Sequence, residues 1–290
     1  MSEPTTPAEV VRAVAAGVSR LVSGGLDAQQ RAAQLDALAA YYAEDTDVRH
    51  PFAPLGDTPL RTRNQLRDHF AAGADGIDAE SFAPADAVVH ETADPEVVVF
   101  EFAYRGQWAG RPFAVPNIFV VRVRNGVIVE SRDYAHHVGF ARASGRINDL
   151  AAALTQATAD AVTASGRHLY ATLDTQDWAR ILELVSPDVV VQIGSEPVMG
   201  LTRWRSNQEA FYRAFPDGRH VIEDALVDKD RFVTRCRFVG THTGPFQEFA
   251  PTGKKVSVGA LHIDRFDNGL LAEHHGQFDI DGLRQQIAAT

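Results

Sequence analysis

Residues 272–281, "AEHHGQFDID", set two histidines and two aspartates into a segment that otherwise reads as a β-strand. Imidazole and carboxyl groups move protons near neutral pH when their surroundings tune them. Successive strand residues point to opposite sides. Glu273, His275, Gln277 and Asp279 therefore share one face, and Ala272, His274, Gly276 and Phe278 the other. In "DRFVTRCRFVGTH", Phe232, Thr234, Cys236, Phe238 and His242 fall on one side, and Arg231, Arg235 and Arg237 on the other. The apolar side is the buried one, which sets His242 at its open end. A carboxyl group walled by apolar side chains has a raised pKa and can trade a proton near neutrality. His274 and His275 point apart and cannot serve one site, so His274 is read as a surface residue. Asp281 is read as the N-cap of the closing helix "GLRQQI".

The elements that position these residues occur twice. Arg122, Asn125 and Gly126 recur as Arg265, Asn268 and Gly269 at an interval of 143 residues, which also carries Gly110 onto Gly253. Asp47, Val48 and Phe70 recur as Asp188, Val189 and Phe211 at an interval of 141. Near-constant intervals point to internal duplication. Each copy leads with helical spacing ("QQRAAQLDALAAYYA"; "GRHLYATL" and "DWARILELV"). A short strand ("DVRHPF"; "DVVVQI"), a further helix ("NQLRDHFAAG"; "RSNQEAFYRAF") and long strands joined at "RNG" and "DNG" follow. This predicts an α+β class with two copies of a cone-shaped domain: a curved antiparallel sheet wrapped around N-terminal helices. The break falls at residues 143–149, "ASGRIND", giving domains 1–146 and 147–290. Phe100, Phe102, Tyr104 and Trp108 alternate along one strand and read as core.

The second copy resembles the SnoaL-like polyketide cyclases, within the wider fold of nuclear transport factor 2 and ketosteroid isomerase. "SPDVVV", "FYRAFPD", "VGTHTGPF", "PTGKKV" and "AEHHGQFDIDGLRQQI" carry the resemblance over about residues 165 to 288. The first copy is similar to looser SnoaL-like proteins through "RHPFAPLG", "PFAVPNIFVVRVRNG" and "VESRDY". The resemblance implies a cofactor-independent acid/base enzyme, an aldol-type cyclase or isomerase, acting on a small apolar carbonyl compound. It places Asp279 in the pocket as the acid/base residue. His242 and His275 are then its partners, and Gln277, Phe232, Phe238 and Trp204 the substrate wall. By the 143 interval Asp279 falls on His136, so the first copy lacks that carboxylate. Its candidates are His50, His136, Tyr134 and Arg132, in a half expected to act as an internal packing partner. A non-catalytic binding protein and a limonene-epoxide-type hydrolase are the alternatives. The hydrolase requires an Asp-Arg-Asp set that neither copy assembles on one face.

Composition excludes other classes. A net charge of -10 without a basic run argues against nucleic acid. No apolar stretch approaches the roughly 18 residues of a membrane helix. The N-terminus starts acidic, and Arg12 interrupts its apolar run, unlike a signal peptide; Thr6, Pro7 and Glu9 read instead as a helix start. The single cysteine, Cys236, leaves no intrachain disulfide and fits the cytoplasm. Eleven histidines occur without an HExxH motif or a close His-X-His pair, so no metal is expected. No phosphate-cradling glycine loop is present.

Overall fold

The computed structural model describes residues 6–75 and 79–288. The chain divides into two compact units, Met1–Leu154 and Thr155–Thr290. The division lies inside a long helix, α5 (Ile147–Leu173), a few residues past the turn at Gly145.

The first unit opens with α1 (Pro7–Val22), started as its sequence predicts: the Thr6 side chain caps the Glu9 amide, Glu9 reaches back, and Pro7 sits in the first turn. Helix α2 (Ala28–Ala39), strands β1 (Tyr42–Arg49) and β2 (Leu60–Thr62), and helix α3 (Arg63–Ala74) follow. Four long strands then run antiparallel: β3 (Ser81–Glu91), β4 (Val97–Trp108), β5 (Arg111–Arg124) and β6 (Val127–Ala135). The sheet order is β2-β1-β6-β5-β4-β3, with β1 parallel to β6. Helix α1 packs on β3, β4 and β5, and α3 on β1. Helix α4 (His137–Ala143) leads from β6 toward α5.

The second unit repeats the plan with α6 (Trp178–Glu183), β7 (Val185–Ile193), α7 (Leu201–Ala214), β8 (Arg219–Asp228), β9 (Arg231–Thr241), β10 (Lys255–Asp267), β11 (Leu270–Phe278) and α8 (Ile280–Ala288). Its sheet order is β7-β11-β10-β9-β8, with β7 parallel to β11. Asn125–Gly126 and Asn268–Gly269 turn at positive φ, as their types allow.

The ladders confirm the repeat and correct the faces. Arg122 faces Glu130 while Val123 faces Ile128, so β6 carries one extra residue, Val129. Likewise Arg265 faces Glu273 while Phe266 faces Leu271, so β11 carries one extra residue, Ala272. Each insertion is a β-bulge, and it reverses the alternation beyond it. Ile128 and Leu271 are buried, and strict alternation from them would turn Glu130, Arg132, Tyr134 and His136, or Glu273, His275, Gln277 and Asp279, inward. The bulge turns Ser131 and Asp133 inward instead, and His274 and Gly276 in the second unit.

Helix α5 enters the second core closely. A Cβ on Gly166 would stand 2.2 Å from the fully buried ring of Phe232. Gly166→Ala is therefore expected to destabilise the second unit by about 1–3 kcal/mol, the usual cost of forcing atoms into a packed core. Urea denaturation checks this; an unchanged midpoint would contradict the packing described.

Candidate functional site

Helices α1, α3 and α4, the first turns of α5 and strands β3 to β6 line a cavity of about 610 Å³ in the first unit, with His50 just past the end of β1. Its apolar walls include the aromatic side chains of Phe70, Phe82, Tyr104, Trp108, Phe119 and Phe140. Phe100, Phe102 and Tyr104 of β4 are core as expected and Trp108 packs against that core, and Tyr104 and Trp108 also line the cavity. The polar lining includes Asp133, His50, His69 and His137, together with Ser144 and the exposed Arg146 and Asp149.

Each group is held by its own element. Asp133 points inward from β6 beyond the bulge and accepts a hydrogen bond from the Ser131 hydroxyl. The backbone N–H of His50 donates to Asp57 at 2.7 Å, fixing the end of β1, and its Nε2 lies 3.9 Å from Asp133 Oδ2. Helix α3 starts on a capping box at Thr62 and Gln65 and buries Leu66 in the core. One turn on, it presents His69, whose ring lies 4.8 Å from that of His50. His137 opens α4, with its ring 6.5 Å from His50.

Electrostatics sort these groups. Burial pushes the Asp133 carboxyl from 3.8 up to about 7, against the opposing pull of Ser131 and Arg132. Desolvation holds His50 and His137 below the ordinary imidazole value, aided by the neighbouring imidazoles. His69, crowded by the cavity wall and by His50 and His137, falls to about 4. At neutral pH the cavity thus offers neutral imidazoles beside a carboxyl poised between its two forms.

The other first-half candidates lie elsewhere. Arg132 bonds Asp47 at 2.9 Å and Glu130 at 2.7 Å on the face of β6 opposite Asp133. Tyr134 packs its ring 5.1 Å from Phe52. His136 is exposed and folds over Gly139 of α4.

In the second unit the structure does not gather the expected set. Asp279 is exposed and accepts from the Gly282 amide at 2.9 Å, so it caps α8, the task read for Asp281. A residue that spends its carboxylate on a helix start in water is not a buried base. Asp281 pairs with Arg284 at 3.4 Å. His275 and Gln277 are exposed. His242 is buried as expected, but its Nδ1 lies 3.0 Å from the Thr252 hydroxyl and its ring beside Phe215. Phe232, Phe238 and Trp204 are core residues. His274, read as a surface residue, is buried and bonds Asp264.

Residues 165–287 match the family model of SnoaL-like polyketide cyclases, and residues 26–131 match that of SnoaL-like domains. The chain is two SnoaL-like domains in tandem. No protein of curated function matches it. Similar solved structures include AclR, a putative hydroxylase from Streptomyces galilaeus, at 24% identity over 44% of this chain and 82% of that chain, TM-score 0.42. A putative SnoaL-like polyketide cyclase from Jannaschia sp. CCS1 is 20% identical over 46% of this chain and 95% of that chain, TM-score 0.43. IdmH, a putative polyketide cyclase from Streptomyces antibioticus, is 23% identical over 44% of this chain and 99% of that chain, TM-score 0.41.

Within these SnoaL-like domains, sequence reading missed Asp133, His69 and His137. "VESRDY" showed the carboxyl, but strict alternation set it outward. No helix in the described residues is long and apolar enough to cross a membrane.

The raised pKa of Asp133 fixes the sign of a pH effect. A carboxyl that titrates at 3.8 unfolded and near 7 folded favours the folded state below pH 4, and that advantage is lost as pH rises through 7. Asp133→Asn removes the loss. Relative to the parent it is expected to be more stable at pH 8 than at pH 4, by on the order of a few kcal/mol. Urea midpoints at both pH values test this; an equal difference at both would contradict it.

Proposed function

We propose that the first SnoaL-like domain is a cofactor-independent acid/base enzyme acting on a small apolar carbonyl compound, by aldol-type ring closure or isomerisation. The observation that carries this reading is a carboxyl group, Asp133, titrating near 7 on the wall of an aromatic cavity of about 610 Å³. The volume suits a small ring system, and the apolar walls would hold it without charge pairing.

In this reading ionised Asp133 takes a proton from the carbon next to a substrate carbonyl. The C–H electron pair becomes the enolate, with its charge on oxygen. The neutral imidazole of His50 or His69 donates an N–H to that oxygen without carrying charge into the site. In ring closure the enolate carbon attacks a second carbonyl of the same molecule, and the new alkoxide takes the proton back from Asp133. In isomerisation the proton returns to a different carbon. Either way the carboxylate is regenerated. On this reading the first half is itself active, in place of the inactive partner expected when His136 stands in the carboxylate's place.

Deuterium exchange into 2-tetralone, a neutral bicyclic ketone with activated α-hydrogens, followed by proton NMR, reads out the first step. Asp133→Asn keeps the shape and removes the proton acceptor, so exchange by this domain is expected to fall about 10²- to 10⁴-fold. Ligand affinity should change little, since the loss concerns the transition state. Unchanged exchange in a folded Asp133→Asn protein would overturn the assignment.

A further inference from the structure

Beyond the bulge of β6, Ser131 and Asp133 both point inward and both are buried, at 2% and 9% exposure. The Ser131 hydroxyl donates to Asp133 Oδ1. Among the described residues it is the one hydrogen-bond donor to this carboxyl. The other oxygen, Oδ2, has no hydrogen bond, and His50 Nε2 lies 3.9 Å from it. Asp133 lines the cavity, whereas Ser131 does not. The two carboxyl oxygens are therefore unequal: one is tied into the strand, and the other is left toward the imidazoles.

The tie is held from one layer further out. Thr46 of β1, itself buried, donates from its hydroxyl to the carbonyl of Val129 at 3.1 Å. Val129 is the extra residue of the bulge, so this bond fixes the feature that turns Ser131 and Asp133 inward. In the second domain the 143-residue interval carries Ser131 onto His274 and Asp133 onto Gly276. Serine and carboxyl are absent there together. The buried carboxylate of that domain is Asp264 of β10, which takes the Tyr170 hydroxyl and His274, each at 2.6 Å.

On the reading of Asp133 as the base, we infer that Ser131 is its positioning residue: it holds Oδ1 and leaves Oδ2, beside His50, as the oxygen that takes the substrate proton. A hydroxyl donates more strongly to an ionised oxygen than to a neutral one. The same bond therefore favours the carboxylate against the burial that disfavours it. The other titratable groups around Asp133 are Tyr42 of β1, Tyr104 of β4, and the imidazoles of His50, His69 and His137. Arg132 acts on it from the opposite face of β6, and Arg146 and Asp149 line the cavity near the start of α5. None of these donates a hydrogen bond to Asp133 among the described residues, so none duplicates the serine.

The test uses the full chain, 2-tetralone as probe and Ser131→Ala, which removes the hydroxyl and leaves the cavity wall in place. The pH profile of deuterium exchange should move up by about one unit, the order of a hydrogen bond to a charged group. Exchange should then be about tenfold slower than in the parent at pH 6, with most of that loss recovered at pH 9. Ser131→Thr restores the hydroxyl and should return the profile to that of the parent. A profile that Ser131→Ala leaves unmoved, a loss equal at pH 6 and pH 9, or a folded Ser131→Thr protein that behaves as Ser131→Ala would overturn the inference. Carbon-13 NMR of the Asp133 carboxyl gives a readout that needs no turnover. If the parent exchanges no deuterium, the enzymatic reading of the first domain falls. A carboxyl midpoint raised by about one unit in Ser131→Ala would still keep Ser131 as the residue that holds this carboxylate, and an unmoved midpoint would overturn it.

Discussion

Between Ile128 and Ser131 the closing strand of the first domain carries one residue more than its partner, and that insertion decides which side chains meet the cavity. Without it, Glu130, Arg132 and Tyr134 would turn inward beside Tyr42 and Tyr104. With it, the charged side chains turn out and are satisfied there: Arg132 by Asp47 and Glu130, Arg122 by Asp94, Glu96 and Glu130. Surface pairs of this kind contribute little stability individually. Their effect is on register, because a slip of β6 by one residue would turn Glu130 and Arg132 inward, away from these partners. The inward set becomes Ser131, Asp133 and Ala135, and a single carboxyl enters apolar space. Its raised pKa follows from that placement.

The duplication reproduces the device. The Arg265–Glu273 pair at 2.9 Å stands beside the bulge of β11 as Arg122–Glu130 stands beside that of β6. Past the bulge the two domains part. The first sends in a carboxyl and gathers three imidazoles from β1, α3 and α4. The second sends in His274 and a glycine, and draws Tyr170 from α5 and Asp264 and His262 from β10. Burial depresses His262 to about 3, as expected of an imidazole with no hydrogen-bond partner. The same strand geometry thus carries two different proton-bearing constellations.

Most of the fold was legible. Helix starts at Thr6, turns at Asn125–Gly126 and Asn268–Gly269, and the inward row Phe232, Thr234, Cys236, Phe238 and His242 all follow from local rules. The site was not, and the reason is specific. Alternation is a parity rule, and one inserted residue inverts it; nothing in "GVIVESRDY" or "GLLAEHHGQ" marks the insertion. The trace that could have revealed it is the repeated Arg–Glu spacing, which has a physical reason only if both residues face water. Asp279 misled for a related reason. An aspartate immediately before a helix has two employments, and the cap won because the strand ends there, leaving the carboxylate in solvent.

Enclosure, and not a neighbouring charge, makes Asp133 a proton-trading group. Carbon-13 NMR of its side-chain carboxyl, titrated between pH 3 and pH 9 in the full chain, tests this most directly. The expected midpoint is near 7, where burial sets this group. A midpoint near 4, the value of a carboxyl in water, would contradict it.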